Sequence, residues 1–113
     1  MAASTGEPVW YPDASSRQLA IVAALSLERD IFVAAVRHSE IAVYCSGPGP
    51  ARAAETARRA IADGATALMS FGLAGGLVAT AATGDVALPE RLLGDGIDAR
   101  ADTAWHRRLV DWL

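Results

Sequence analysis

The sequence predicts an α/β fold, a mainly parallel sheet with helical crossovers arranged in three layers, and three observations predict it. Leu19-Ala-Ile-Val-Ala-Ala-Leu25, Ile41-Ala-Val-Tyr-Cys45 and Ala67-Leu-Met-Ser-Phe71 are short apolar runs without polar alternation, the pattern of strands buried on both faces. Helix-forming stretches separate them, as parallel pairing of successive strands requires. Each run ends in residues that turn the chain: Ser26, then Ser46-Gly-Pro-Gly-Pro50, then Gly72-Leu-Ala-Gly-Gly76.

Taken in order, residues 1–18 carry Pro8, Pro12 and small polar residues without periodicity, and read as a flexible tail rather than a signal peptide. Residues 19–113 form the folded part. After the first strand, Ser26 is a candidate N-cap and Glu28 an acid in the first turn of a helix over Leu27 to Val36. Its apolar face is expected to hold Leu27, Ile31 and Ala34 or Ala35, with the end near Arg37 and His38. Pro50 suits the first position of a second helix, which needs no amide hydrogen there, and Ala53, Ala57, Ala60 and Ile61 form its small-residue face. Gly64 stands where a left-handed C-terminal cap belongs. Beyond the third strand, Gly84-Asp85 turns the chain into Val86-Ala-Leu88, a candidate fourth strand, and Pro89, Gly94 and Gly96 mark a loop. A last helix over Thr103 to Leu113 places Trp105, Leu109, Trp112 and Leu113 on its apolar side. That pattern runs to Leu113 without a cap, so the chain reads as a truncated domain.

Composition narrows the function. The chain has 113 residues, 52% hydrophobic and 20% charged, a globular balance for one domain, and its apolar runs are too short for stable membrane insertion. Net charge is -3, and the arginines are spread out rather than gathered in a stripe, which argues against nucleic acid as a partner. Cys45 is the single cysteine, and no Cys or His lies at metal-ligand spacing from another, so no metal site and a reducing cytoplasm are expected.

In an open parallel sheet, ligands bind outside the carboxyl ends of the strands, where Ser26-Leu-Glu28, Ser46 to Pro50 and Gly72 to Gly76 are expected to converge. Glycine lets main chain approach a ligand without side-chain obstruction, and a helix start offers free amide hydrogens, so a sugar or phosphate cradle fits. Taken singly, each loop is equally a structural end of a strand. A dinucleotide reading fails, because Arg52 stands where the third glycine of GxGxxG belongs and no acid ends the strand near Phe71. There is no P-loop, G-x-S-x-G or H-E-x-x-H.

Ser46-Gly-Pro-Gly-Pro-Ala-Arg-Ala53, Gly64-Ala65, Ser70-Phe-Gly-Leu-Ala-Gly-Gly-Leu77 and Gly84-Asp85 resemble, in order and spacing, the nucleoside phosphorylase and methylthioadenosine/adenosylhomocysteine nucleosidase superfamily. The likeness runs from about Leu19 to Leu113, the amino-terminal half of such a phosphorylase/hydrolase-like fold. The short step from Glu28 to Ile41 and the glycine string look most like the hopanoid-biosynthesis-associated branch, thought to remove adenine from adenosylhopane.

The resemblance implies cleavage of a purine N-glycosidic bond through an oxocarbenium-like sugar, attacked by water or by phosphate as co-substrate, with no cofactor. Glu28 is similar to the family's acid that orders the nucleophilic water or the ribose. Pro48 and Gly49 would lie beside the sugar, and Gly72, Leu73, Ala74 and Gly75 would present backbone to the nucleoside. Where many family phosphorylases carry an arginine and a serine to hold phosphate, this chain has Ser70 and Leu73; Arg52 is a substitute ligand or a solvated helix arginine. The family's later glutamate for ribose hydroxyls and aspartate for the leaving base would lie beyond Leu113, so the fragment itself is expected to be inactive.

Two other readings remain open: a non-enzymatic nucleoside- or anion-binding module, and an interaction protein completing its sheet with another chain. The partners this leaves are a small-molecule nucleoside and further copies of the chain. His38 and His106 read as surface residues, Cys45 as core, and Trp105 and Trp112 as packing residues.

Overall fold

A computed structural model describes the backbone of Pro8 and Val9 together with residues 19–36 and 41–113. The elements are β1 (Pro8–Val9), β2 (Leu19–Ala23), α1 (Ser26–Ala35), β3 (Ile41–Cys45), α2 (Pro50–Ala62), β4 (Ala67–Ser70), β5 (Arg91–Gly94), β6 (Ile97–Arg100) and α3 (Thr103–Trp112). They fall into two units, Met1–Ala74 and Gly75–Leu113.

The first unit holds a four-stranded sheet in the order β1-β3-β2-β4. β3 and β4 both run parallel to the central β2, with Leu19 opposite Ile41 and Ala67. One short piece of the expected tail is structured: Pro8 and Val9 pair antiparallel with Tyr44 and Val43.

The register explains the layering. Ala20, Ala42 and Tyr44 share one face and cluster with Ala60 of α2. Ile21, Ala23, Val43 and Cys45, all buried, share the other face with Met69. Phe71, next on that face, meets Phe32 of α1 edge to face with ring centroids 5.2 Å apart. The two helices therefore cover opposite faces, and the unit is the three-layer α/β arrangement predicted. The chain leaves β2 and β3 toward opposite faces, the topology at which open α/β sheets place a ligand crevice.

The helices turn differently from expectation. In α1, Leu27 (59%) and Ile31 (42%) are exposed, while Glu28 is buried. The inward line runs through Glu28 and Phe32, because the segment after β4 offers the Phe71 ring and the Leu73 amide there, and the Leu25 amide at the helix start supplies a second donor. Ser26 is the first helical residue, and Leu25 stands at the cap in extended backbone with no side-chain acceptor. The helix ends at Ala35; Arg37 and His38 lie outside the described residues. In α2, Ala53 and Ala57 are half-buried and Ala60 buried, but Ile61 is exposed and Thr56 takes its place inside.

Gly64 does cap α2, at φ +108°. Its amide donates to Ile61 O and that of Ala65 to Ala60 O, the paired bonds that close a helix on a positive-φ glycine. Just before it, Asp63 Oδ2 accepts from the buried Tyr44 hydroxyl at 2.7 Å, tying the end of α2 to β3. Replacing Tyr44 by Phe removes the bond to Asp63, and is expected to cost at least about 1.5 kcal/mol in denaturant unfolding.

The second unit carries an antiparallel hairpin, β5 with β6, closed by Asp95-Gly96 with Gly96 at φ +71°. This corrects two expectations. Val86–Leu88 is not a strand, and in place of an open loop Gly94 ends β5 and Asp95-Gly96 is a two-residue hairpin turn. Arg91 holds Asp98 through two bonds, Nε to Oδ1 at 2.7 Å and Nη2 to Oδ2 at 2.6 Å. The guanidinium keeps the Asp98 carboxyl below its ordinary 3.8. A group so depressed adds stability above the ordinary carboxylate range and loses it as pH falls through the lowered folded value. An NMR titration of Asp98 should therefore give a midpoint below 3.8, moving back toward it in Arg91→Ala. An unchanged midpoint in that variant would show the pair to be absent in solution. No helix among the described residues is long and apolar enough to cross a membrane.

Candidate active site

The parallel register brings the carboxyl ends of β3, β2 and β4 side by side, so the loops that follow them share one rim. Main-chain bonds extend past the strands and fix those loops. Ser46 N donates to Ala23 O at 2.9 Å, and Phe71 N donates to Val22 O at 3.1 Å. The Ser46 hydroxyl, also buried, donates to Gly47 O at 2.7 Å and stiffens the start of the glycine loop.

Glu28 sits at the centre of this rim and is 4% exposed. Each of its oxygens accepts a main-chain amide: Leu25 N donates to Oε1 at 2.9 Å and Leu73 N to Oε2 at 2.7 Å. The first bond is the reciprocal half of a capping box, a side chain at the third helical position reaching back to the cap. The second spans to the loop after β4. A carboxylate has about four lone-pair positions, so two amides leave about two for water or a sugar hydroxyl.

Gly72 packs directly against this carboxylate. A Cβ there would stand 2.6 Å from Glu28 Oε2 and 3.1 Å from its Cδ. Glycine is required by this close approach, since any side chain would displace the carboxylate.

Pro48 and Gly49 lie exposed on the neighbouring loop after β3, with Gly49 at φ +108° opening α2 and its carbonyl accepting from Ala53 N at 3.1 Å. Gly47, at φ +79°, lies beneath Arg52: a Cβ there would meet Nη1 at 2.9 Å. Arg52 is thus folded back over the loop rather than extended from the helix.

Of the residues singled out in the sequence, Glu28, Gly72 and Leu73 are joined directly, and Pro48 and Gly49 occupy the adjacent loop of the same rim. Ala74 closes the first unit, and Gly75 belongs to the second. The supporting residues Ser46, Phe32 and Phe71 carry no chemical signature in the sequence. Ser46 was legible only as a loop residue, and the Phe pair needed the register to bring it together.

A family model described as the phosphorylase superfamily matches residues 18–109. No curated protein and no solved structure matches the chain. The matched stretch takes in the parallel sheet from β2 onward and both helices that cover it, and the chain belongs to the phosphorylase superfamily.

Proposed function

We propose that this domain serves cleavage of the N-glycosidic bond of a purine nucleoside in its full-length parent, with the rim around Glu28 holding the sugar. The observation that carries the reading is the buried Glu28 carboxylate, bonded to Leu73 N and packed against Gly72 beside the ends of the parallel strands. As the glycosidic bond breaks, positive charge grows on the sugar ring. A preorganised carboxylate stabilises that charge and, with its spare lone pairs, orients a water or a ribose hydroxyl. The main chain of Pro48, Gly49, Gly72, Leu73 and Ala74 supplies the sugar and base contacts on this reading. The finer expectations come with it: an adenosyl-lipid such as adenosylhopane as substrate, phosphate as the co-substrate if water is not the nucleophile, and no base release by these 113 residues alone.

Free adenine tests it. The chain, and the same chain lengthened by any downstream reading frame, are incubated with adenosine and 5′-substituted analogues, with and without phosphate. Release is expected from the longer product, dropping at least tenfold in Glu28→Gln, the direction set by loss of a charge-stabilising group. Adenine from neither product overturns the catalytic reading. Calorimetric binding of adenosine without release would then favour the nucleoside-binding module.

A further inference from the structure

We propose a second ligand site, in the unit Gly75–Leu113: a recess that binds a small sugar phosphate. The recess has a volume of about 240 Å³ and lies between the base of the β5–β6 hairpin and α3. Its wall is closed by the bond from Ala101 N to Glu90 O at 2.9 Å. None of its residues belongs to the rim around Glu28, so the proposal stands or falls separately from the reading above.

Charge identifies the ligand class. Two guanidiniums, Arg100 and Arg107, line the recess. Neither meets a carboxylate among the described residues. The hairpin register shows why for Arg100. It stands directly opposite Arg91, and Arg91 already takes both oxygens of Asp98, the acid next along that face. Like charges opposite one another in a ladder are unfavourable, and an anion at Arg100 relieves the pair. This unit has six acids and only four arginines, so two unpaired arginines beside one recess run against its composition.

The remaining wall discriminates among anions. His106, read from the sequence as a plain surface residue, is half-buried, and its Nε2 lies 2.8 Å from Leu88 O. A carbonyl only accepts, so Nε2 carries the hydrogen and the ring is fixed in place. Guanidinium forks match the oxygens of a phosphate. Thr103 offers a hydroxyl, Glu90 an acceptor for ligand hydroxyls and Val110 an apolar patch. The volume equals that of about eight liquid waters, room for a phosphorylated sugar rather than for phosphate alone.

The test uses the isotope-labelled chain, reading the arginine Nε–H and His106 ring signals during additions of ribose 5-phosphate, inorganic phosphate and ribose. Ribose 5-phosphate should shift them saturably with a Kd of about 1 mM or below. Phosphate should bind more weakly, and ribose not at all. Arg100→Ala and Arg107→Ala should each weaken binding at least tenfold. Arg108→Ala, outside the recess, should not, and Glu90→Gln should remove the advantage over phosphate. All four side chains are exposed, so folding is retained and circular dichroism checks it. No saturable shift, shifts that persist in the double arginine variant, or equal binding of phosphate and ribose 5-phosphate would overturn the proposal.

Discussion

Glu28→Ala is expected to destabilise the first unit by about 3 kcal/mol, the largest loss for any single truncation at the rim. Two terms add. The amides of Leu25 and Leu73 lose their acceptor, and a donor left without a partner costs about 1–3 kcal/mol when buried, the low end applying to these part-buried bonds. The bond to Leu25 is also the cap of α1, and Leu25 has no side-chain oxygen to replace it. A small void opens against Gly72. Guanidinium unfolding followed by tryptophan-independent circular dichroism measures the change. A loss within about 0.5 kcal/mol of zero, the range of surface substitutions, would mean the carboxylate is not bonded as described. Glu28→Gln keeps shape and one acceptor, so its stability should lie between the two.

Gly72→Ala comes next, at about 2 kcal/mol, the usual scale for forcing an extra methyl into a filled site. The intruding atom would be 2.6 Å from Oε2, and a glutamate end could ordinarily swing away. Here it cannot do so without breaking the bonds to Leu25 N and Leu73 N. The cost is therefore conditional on Glu28. In a Glu28→Ala background, Gly72→Ala should cost less than about 0.5 kcal/mol, giving a coupling well outside the additive range. Full additivity would show that Gly72 matters for its backbone rather than for the carboxylate beside it.

The elements that sequence revealed are those set by local chemistry. The apolar runs of β2, β3 and β4, Pro50 at the start of α2 and Gly64 at its end depend on neighbours along the chain. Which side of α1 turns inward does not. By hydrophobic letters Leu27 and Ile31 outrank Glu28, and only the amide of Leu73, brought in by β4, makes a buried carboxylate the better choice. The β5–β6 hairpin was hidden for a related reason. Leu92, Leu93 and Ile97 are all exposed, so no alternation flags the strands, and Val86–Leu88 looks more strand-like than Arg91–Gly94 does. Convergence of the loops could be anticipated from a parallel sheet. The Glu28–Gly72 contact that organises them could not, because it depends on a distance between two segments far apart in sequence.

Among the described residues β4 is hydrogen-bonded to the sheet along one edge, being last in the strand order, and its side chains alternate between half-buried and exposed. Such a strand can detach while β2 and β3 stay paired, as partial openings begin where burial is least. Detachment carries away the Leu73 amide, and with it one of the two contacts that hold the Glu28 carboxylate. A nucleoside held at the rim would thus be energetically linked to retention of this strand, and would slow deuterium uptake at Ala67–Ser70 in proportion to its occupancy.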